Sequence, residues 1–227
     1  MTAAANLVIV GARRRKQSRA KAMNPREPIL KPVKIAELRP TQVTVGFREV
    51  SEKRKEWRDR SASKAGEYLG NHMVPVVLGP KDRSYLVDHH HLALALQEEG
   101  QAEVLTTVVA DLSQLSKGPF WTYMDNRALC HPYDAAGKRC SFDDIPKTVA
   151  DLEDDPYRSL AGELRRAGGF AKDTTPFSEF LWADFLRPRV RAKLIKERFS
   201  AALEKAVGFA KSEDAGYLPG WCGPHPD

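Results

Sequence analysis

The sequence predicts an α+β fold, and three observations predict it. Short β-branched apolar runs recur at 33–38, 74–78 and 104–109, each bounded by turn or polar residues. Two longer stretches of helical composition, 50–69 and 89–97, lie between them. From Ser116 onward the strand-like runs cease and helix-forming, aromatic-rich stretches take over.

Each element follows from local chemistry. Residues 33–38 read as a strand stopped at Pro40. Residues 50–69 are dense in charge but carry Val50, Trp57, Ala65, Tyr68 and Leu69, the pattern of a half-exposed helix, and Gly70-Asn71 closes it. Residues 74–78 form a strand that Gly79-Pro80 ends. Residues 84–87 are its return strand, so 79–83, with Lys81-Asp82-Arg83 at the tip, is a hairpin turn. A helix over 89–97 stops at Gly100, and 104–109 is another strand. Asp155-Pro156 opens a helix that ends before Gly168-Gly169: Asp is a cap, and Pro is tolerated in the first turn. Pro176 opens a further helix whose Phe177, Phe180, Leu181, Trp182, Phe185 and Leu186 cover most of its circumference. That helix should be largely buried, with Phe177, Phe180 and Phe185 as core. Pro188 interrupts it, and 189–211 reads as one amphipathic final helix. The expected division is a basic tail at 1–31, an α+β domain at 32–115, a helical extension packed on it at 116–212, and coil at 213–227.

The formal net charge of +6 is a property of the tail. Residues 1–34 hold nine Lys and Arg side chains and one acid, +8, which leaves −2 for the remainder. Such a tail has the composition of a solvated leader and attracts phosphates without reading sequence. At 42% hydrophobic and 29% charged, the chain excludes wholesale disorder and collagen-like repeats. The apolar run Leu7-Val8-Ile9-Val10 is far short of the roughly 18 residues that span a bilayer, so no membrane partner is expected. That run precedes the cluster Arg13–Lys16, the reverse of a secretory signal. A cytoplasmic location is expected. An organelle transit peptide stays open, because the first 26 residues lack acids. Three cysteines without CxxC spacing point away from a disulfide framework, and Cys130-His131 with Cys140 has poor metal spacing, so no metal ligands are assigned.

The chemistry concentrates in Asp88-His89-His90-His91, delivered by a strand to the start of a helix. A helix N-terminus presents free N–H groups and a positive dipole end, a natural anion site. Histidines there can donate to phosphate oxygens or move protons, and Asp88 can cap the helix or fix a tautomer. Successive helical residues lie about 100° apart, so the three rings cannot all face one cleft. Beyond this junction, Arg158 can clamp an anion, and Gly168-Gly169 can bring Lys172 close to a ligand.

This pattern resembles the ParB/sulfiredoxin superfamily, in particular its ParB-like nuclease branch. The D-G-H-H-R-type slot of that superfamily reads Asp88-His89-His90-His91-Leu92 here. Its L-x-P-x-x-Q-like segment reads Leu38-Arg39-Pro40-Thr41-Gln42, and its I-x-P-I-x-V strand reads Val74-Pro75-Val76-Val77-Leu78. The resemblance covers roughly residues 33–110. It implies a compact α+β domain with a nucleotide or phosphate pocket at the junction. His89 stands where the motif has Gly. Leu92 stands where it has Arg, so one phosphate-clamping guanidinium is missing. Gln42 sits where kinase-type members place a glutamate base, which leaves Glu49 to substitute. No cysteine adjoins the histidines as in sulfiredoxins, and no helix-turn-helix follows as in partition proteins.

The leading expectation is an enzyme for a small phosphorylated or anionic substrate, by phosphoryl transfer or hydrolysis, with ATP, ADP or CTP and Mg2+ as suspected cofactors. Asp88, His89, His90 and His91 would be catalytic. Gln42, Glu49, Arg158 and Lys172 would bind substrate or phosphate. One alternative is a nuclease or nucleic-acid-binding protein with the tail as a non-specific contact. A second is a nucleotide-binding switch without catalysis.

Overall fold

The computed structural model describes residues 30–224. In chain order the elements are β1 (Leu30–Lys34), β2 (Thr44–Val45), α1 (Phe47–Asn71), β3 (Val74–Gly79), β4 (Arg83–Leu86), α2 (His90–Glu98), β5 (Glu103–Asp111), α3 (Lys117–Asn126), β6 (Glu153–Asp154), α4 (Pro156–Arg166), α5 (Ser178–Leu186), α6 (Ala192–Glu197) and α7 (Phe199–Ala210). The fold is α+β, as the sequence predicts. The expected basic tail lies outside the described residues, except that its last two positions already belong to β1.

Four strands form one sheet in the order β1-β5-β3-β4, with β3 and β5 parallel and the outer pairs antiparallel. Alternation along the strands sends side chains to both faces. Val76 and Leu86 join Val50, Trp57, Leu92 and Leu96 under α1 and α2. Val77 and Tyr85 join Phe120, Trp121 and Met124 of α3 on the opposite face. Helix α3, just past the expected boundary at residue 115, completes the sheet's second core. Helices α4 to α7 enclose a third cluster around Leu160, Leu164 and Trp182.

One short stretch joins these layers. Strand β2 pairs in parallel with β6, and the Asp155 N–H donates to the Val45 carbonyl at 2.8 Å. Asp155 is fully buried and caps α4 through the Tyr157 N–H, as the Asp-Pro signal predicts. Its carboxylate also takes two bonds from Arg187, at 3.2 and 2.5 Å, which ties the start of α4 to the end of α5.

The structure departs from the sequence reading at four places. The first predicted strand ends at Lys34, and 35–37 form a 3-10 turn that buries Ile35. Helix α5 starts at Ser178 because Phe177 adopts a left-handed backbone (φ 58°, ψ 23°), and Leu181 remains 43% exposed. The final helix is two helices, broken at Arg198 (φ −142°), which lets Ala202, Ala206 and Ala210 face the third cluster. The described part of the C-terminal segment, expected as coil, opens with a 3-10 turn at Glu213–Ala215 and is pinned to the core. Ala215 and Leu218 are buried, the Trp182 indole N–H donates to the Pro219 carbonyl, and the Ala171 N–H donates to the Gly220 carbonyl. A buried indole N–H needs an acceptor, and the Gly- and Pro-rich segment supplies it. Among the described residues no helix is long and apolar enough to cross a membrane.

The packing of α1 on α4 rests on Gly46. A Cβ there would lie 2.8 Å from the Ser159 backbone nitrogen and 3.0 Å from its Cα. Backbone cannot yield as a side chain can. Gly46→Ala should therefore cost about 1–3 kcal/mol in urea unfolding, the range for overpacking.

Candidate functional site

The strand–helix junction builds the site. Strand β4 ends at Leu86, and α2 begins at His90 with no side-chain cap. Asp88 is exposed, and its Oδ1 accepts from the His89 N–H at 2.6 Å, so it orders the approach without capping the helix. His89 takes a left-handed conformation (φ 65°, ψ 26°), which glycine reaches without strain. This is the slot where the resembled motif carries Gly. The His89 ring lies beside His72 and Met73 and does not line the cavity, and burial lowers its pKa.

His90 and His91 are buried and face inward. Nε2 of His90 accepts the Thr41 N–H at 3.2 Å. Nε2 of His91 accepts the Gly46 N–H at 3.0 Å. Burial lowers the pKa of His90 to about 3, and His91 and His89 nearby add to the effect. Burial and then the Arg158 charge hold His91 well below the usual imidazole value. Both rings are neutral at pH 7. A neutral imidazole that accepts at Nε2 must carry its proton on Nδ1. In His90 that proton is taken by the Leu86 carbonyl. Donation to phosphate from Nε2, which the motif suggested, is therefore closed. The two histidines position backbone, and His91 Nδ1–H is the donor left over.

A cavity of about 320 Å3 opens over this junction. Gln42, Asp88, His90, His91 and Arg158 line it, so the structure brings together five residues singled out from sequence. Gln42 is turned away from acid–base work, because its Nε2 donates to the Thr44 carbonyl at 2.6 Å. Glu49 stands just behind the wall, with Oε2 3.5 Å from His91 Nε2 and 3.4 Å from Arg158 Nη1. Lys172 sits on an exposed loop and is not brought to the cavity.

Arg158 is the charged centre. It is 7% exposed, lies over the Phe180 ring, and pairs with Glu179 through Nη2. Glu179 is held from its other side by Arg165 Nε at 2.7 Å. Arg158 Nε and Nη1 and Glu49 Oε2 are buried without a hydrogen-bond partner. Gly162 of α4 leaves room for this contact, since a Cβ there would sit 3.3 Å from Glu49 Oε2.

The far wall is Thr175 to Phe180, with Ala128. Sequence reasoning missed Glu179 and this wall. A signal existed: Arg158 and Arg165 are two turns apart on one helix face, and a buried arginine demands a carboxylate. His131, also missed, stacks among Tyr133, Phe177 and Phe180, and burial lowers its pKa to about 4. Among the described residues no three His, Cys, Asp or Glu side chains gather as a metal cage.

A family model described as "Putative ParB-like nuclease" matches residues 31–188. The crystal structure of protein Atu1540 from Agrobacterium tumefaciens is 57% identical over 87% of this chain and 98% of that one, with a TM-score of 0.83. No curated protein matches the chain. The chain belongs to the ParB-like nuclease family.

Two outcomes follow from the site. Replacing Arg158 with Met strands two poorly solvated carboxylates. It should cost about 3 kcal/mol in chemical unfolding, with about 1 kcal/mol recovered by adding Glu179→Gln. The second outcome concerns pH. The unfolded chain protonates His90, His91 and His131 near pH 6.5, whereas the folded chain holds them neutral to much lower pH. The unfolded state therefore binds more protons below about pH 6.5, and stability falls as pH drops, by about 1.4 kcal/mol per pH unit for each histidine. His90→Gln, which keeps an acceptor for Thr41, should remove one share of that slope in urea midpoints compared at about pH 7.5 and about pH 5.

Proposed function

We propose that this protein is an enzyme acting on a small phosphorylated or otherwise anionic substrate in the cavity at the β4–α2 junction, by phosphoryl transfer or hydrolysis. The observation that carries this reading is Arg158, buried on the cavity wall between Glu179 and Glu49, with Nε and Nη1 making no hydrogen bond. Buried N–H groups without an acceptor are costly, and an anion's oxygen would supply one. The first-turn N–H groups of α2 lack intrahelical partners and lie at the same wall. Together they supply donors for one phosphate or carboxylate group. The volume lies at the low end of small-molecule pockets, which run from about 300 to 1,000 Å3. A duplex does not fit such a cavity, whereas a metabolite does.

The remaining groups divide the work. Asp88 and Glu179 are the carboxylates on the wall, and either can accept the proton of an attacking hydroxyl or water. Asp88 has the freer position, because Glu179 is shared between Arg158 and Arg165. Glu49, expected among the substrate- or phosphate-binding residues, touches His91 and Arg158 and so positions them. Phe177 and Phe180 make part of the cavity wall apolar.

The donor set fits a nucleotide phosphate with Mg2+. Arg158 and the α2 N-terminus would hold the phosphate; where Asp88 holds the ion, the proton falls to Glu179, and the ion would neutralise charge on the transferring group. The family description favours a second reading, phosphodiester cleavage at the same place, in which one nucleotide of a strand enters the cavity.

Phosphorus NMR of the full chain with ATP, ADP and CTP plus Mg2+, beside bis(p-nitrophenyl) phosphate as a diester probe, tests both. Nucleotide turnover that Asp88→Asn lowers by about a hundred-fold or more, the size of a general-base contribution, supports the enzyme. Cleavage of the diester alone selects the second reading. No turnover, with no thermal stabilisation by nucleotide or inorganic phosphate that Arg158→Lys removes, overturns both.

A further inference from the structure

The wall of the β4–α2 cavity is not built for a plain anion. Its charged lining groups are Arg158, Asp88 and Glu179, one cation against two carboxylates, because His90 and His91 are neutral. In the layer behind, Glu49 and Arg165 offset each other. The side chains around the cavity therefore carry one negative charge in excess. The N-terminal end of α2 returns about half a charge. A phosphate entering alone would add to the excess, and like charges in a half-enclosed space repel more than they do in water.

The excess belongs to Asp88. Glu179 is held between Arg158 and Arg165. Asp88 is exposed, its Oδ1 accepts from the His89 backbone, and among the described residues no Lys or Arg pairs with it. Its position relative to Arg158 is fixed by α2. The bond to the His89 N–H sets the Asp88 carboxylate just ahead of the first turn of that helix. On the other side of the turn, one oxygen of Glu49 touches both His91 Nε2, at 3.5 Å, and Arg158 Nη1, at 3.4 Å. A donor-rich end and a free carboxylate thus flank the same helix start.

An anionic ligand must bring positive charge into this space. Mg2+ meets that need in the nucleotide reading, but it keeps an octahedral shell and several waters. An ammonium group is about the size of a methyl group and carries three N–H donors. In a cavity of about 320 Å3 it meets the same need in less room. The hydroxyl residues Thr175 and Ser178 line the same cavity and add acceptors to the Asp88 carboxylate.

We propose that the substrate is a zwitterion, an alkyl phosphate that also carries an ammonium group, with the phosphate at Arg158 and the α2 N-terminus and the ammonium on Asp88. This rests on the reading of the cavity as a site for a small phosphorylated substrate and narrows that class to amine-bearing members. With the amine on Asp88, the proton-accepting role falls to Glu179.

Isothermal titration calorimetry of the full chain at low salt tests it. The probes are O-phosphoethanolamine and propyl phosphate, which has a methyl group in place of the ammonium, each with EDTA and again with Mg2+. Phosphoethanolamine should bind about ten-fold tighter or more in EDTA, the size of one charge-assisted hydrogen bond. Asp88→Asn keeps an acceptor for the His89 N–H. It should bring the two probes within about two-fold, weakening phosphoethanolamine and tightening propyl phosphate as the repelling carboxylate is lost. Circular dichroism verifies the fold of the variant, and the wild-type comparison needs no variant. Equal binding of both probes in EDTA overturns the proposal and leaves the phosphate site standing. Equal binding of both only with Mg2+ assigns Asp88 to the ion and overturns it too. A preference that Asp88→Asn leaves in place overturns the assignment of the ammonium. Binding of neither probe under any condition overturns the phosphate site itself, and the proposal with it.

Discussion

The structure depends on burying one irregular stretch of backbone, residues 41–46. All six are buried, yet only Thr44 and Val45 have a strand partner, the short β6. A buried peptide group without a partner costs as much as a lost hydrogen bond, so every N–H and C=O there needs an answer. The answers come from far along the chain. His90 accepts from Thr41, His91 accepts from Gly46, and the Thr41 carbonyl accepts from the His131 N–H. Thr41 Oγ1 donates to Leu86, and Val45 accepts from Asp155. These bonds join α2, the loop after α3, and α4 to a single line. The line is a joint between the sheet domain and the helical half.

That joint explains the form of the cavity. The histidines that define its floor are held neutral by burial, which leaves each Nε2 able to accept. A charged ring could not accept the Thr41 or Gly46 N–H. Charge is therefore carried by the next layer, Glu49, Arg158 and Glu179, which link α1, α4 and α5. Arg158 lies between the carboxylates of Glu49 and Glu179, and Arg165 holds Glu179 from its other side. Two guanidinium groups and two carboxylates balance one another, and a buried network of this kind is a poor way to gain stability.

Much of this was legible in the sequence, because local rules and tertiary structure agree there. The charge-dense 50–69 pattern gave α1, and Asp155-Pro156 gave the start of α4. The three histidines after a strand located the cavity. Their role was not legible. Residue type shows that imidazole can donate, accept or ionise, and only the position of the Thr41 and Gly46 amides decides which. Glu179 was hidden for a similar reason: an acid near the start of a helix reads as a dipole partner until Arg158 is seen across from it. The break at Arg198 carries no Pro or Gly, so helical periodicity ran straight through it. The C-terminal segment read as coil from its glycines and prolines. Its value to the core is an acceptor for Trp182, which is a property of its backbone and invisible to composition.

Three of the places where local preference loses share a location. Among the described residues, five non-glycine positions have positive φ: Lys81, Asp82, His89, Ala128 and Phe177. Ala128 and Phe177 line the cavity, and His89 adjoins it. Lys81 and Asp82 form the tip of the β3–β4 hairpin, whose tight turn requires left-handed backbone. Left-handed backbone costs an L-residue about 1–2 kcal/mol, and glycine at any of the five would relieve it. A sequence selected for stability alone would use glycine there, as the resembled motif does at the His89 position. The surrounding packing must hold these residues in place. A fold whose elements otherwise obey their propensities gathers three such residues, His89, Ala128 and Phe177, at one cavity.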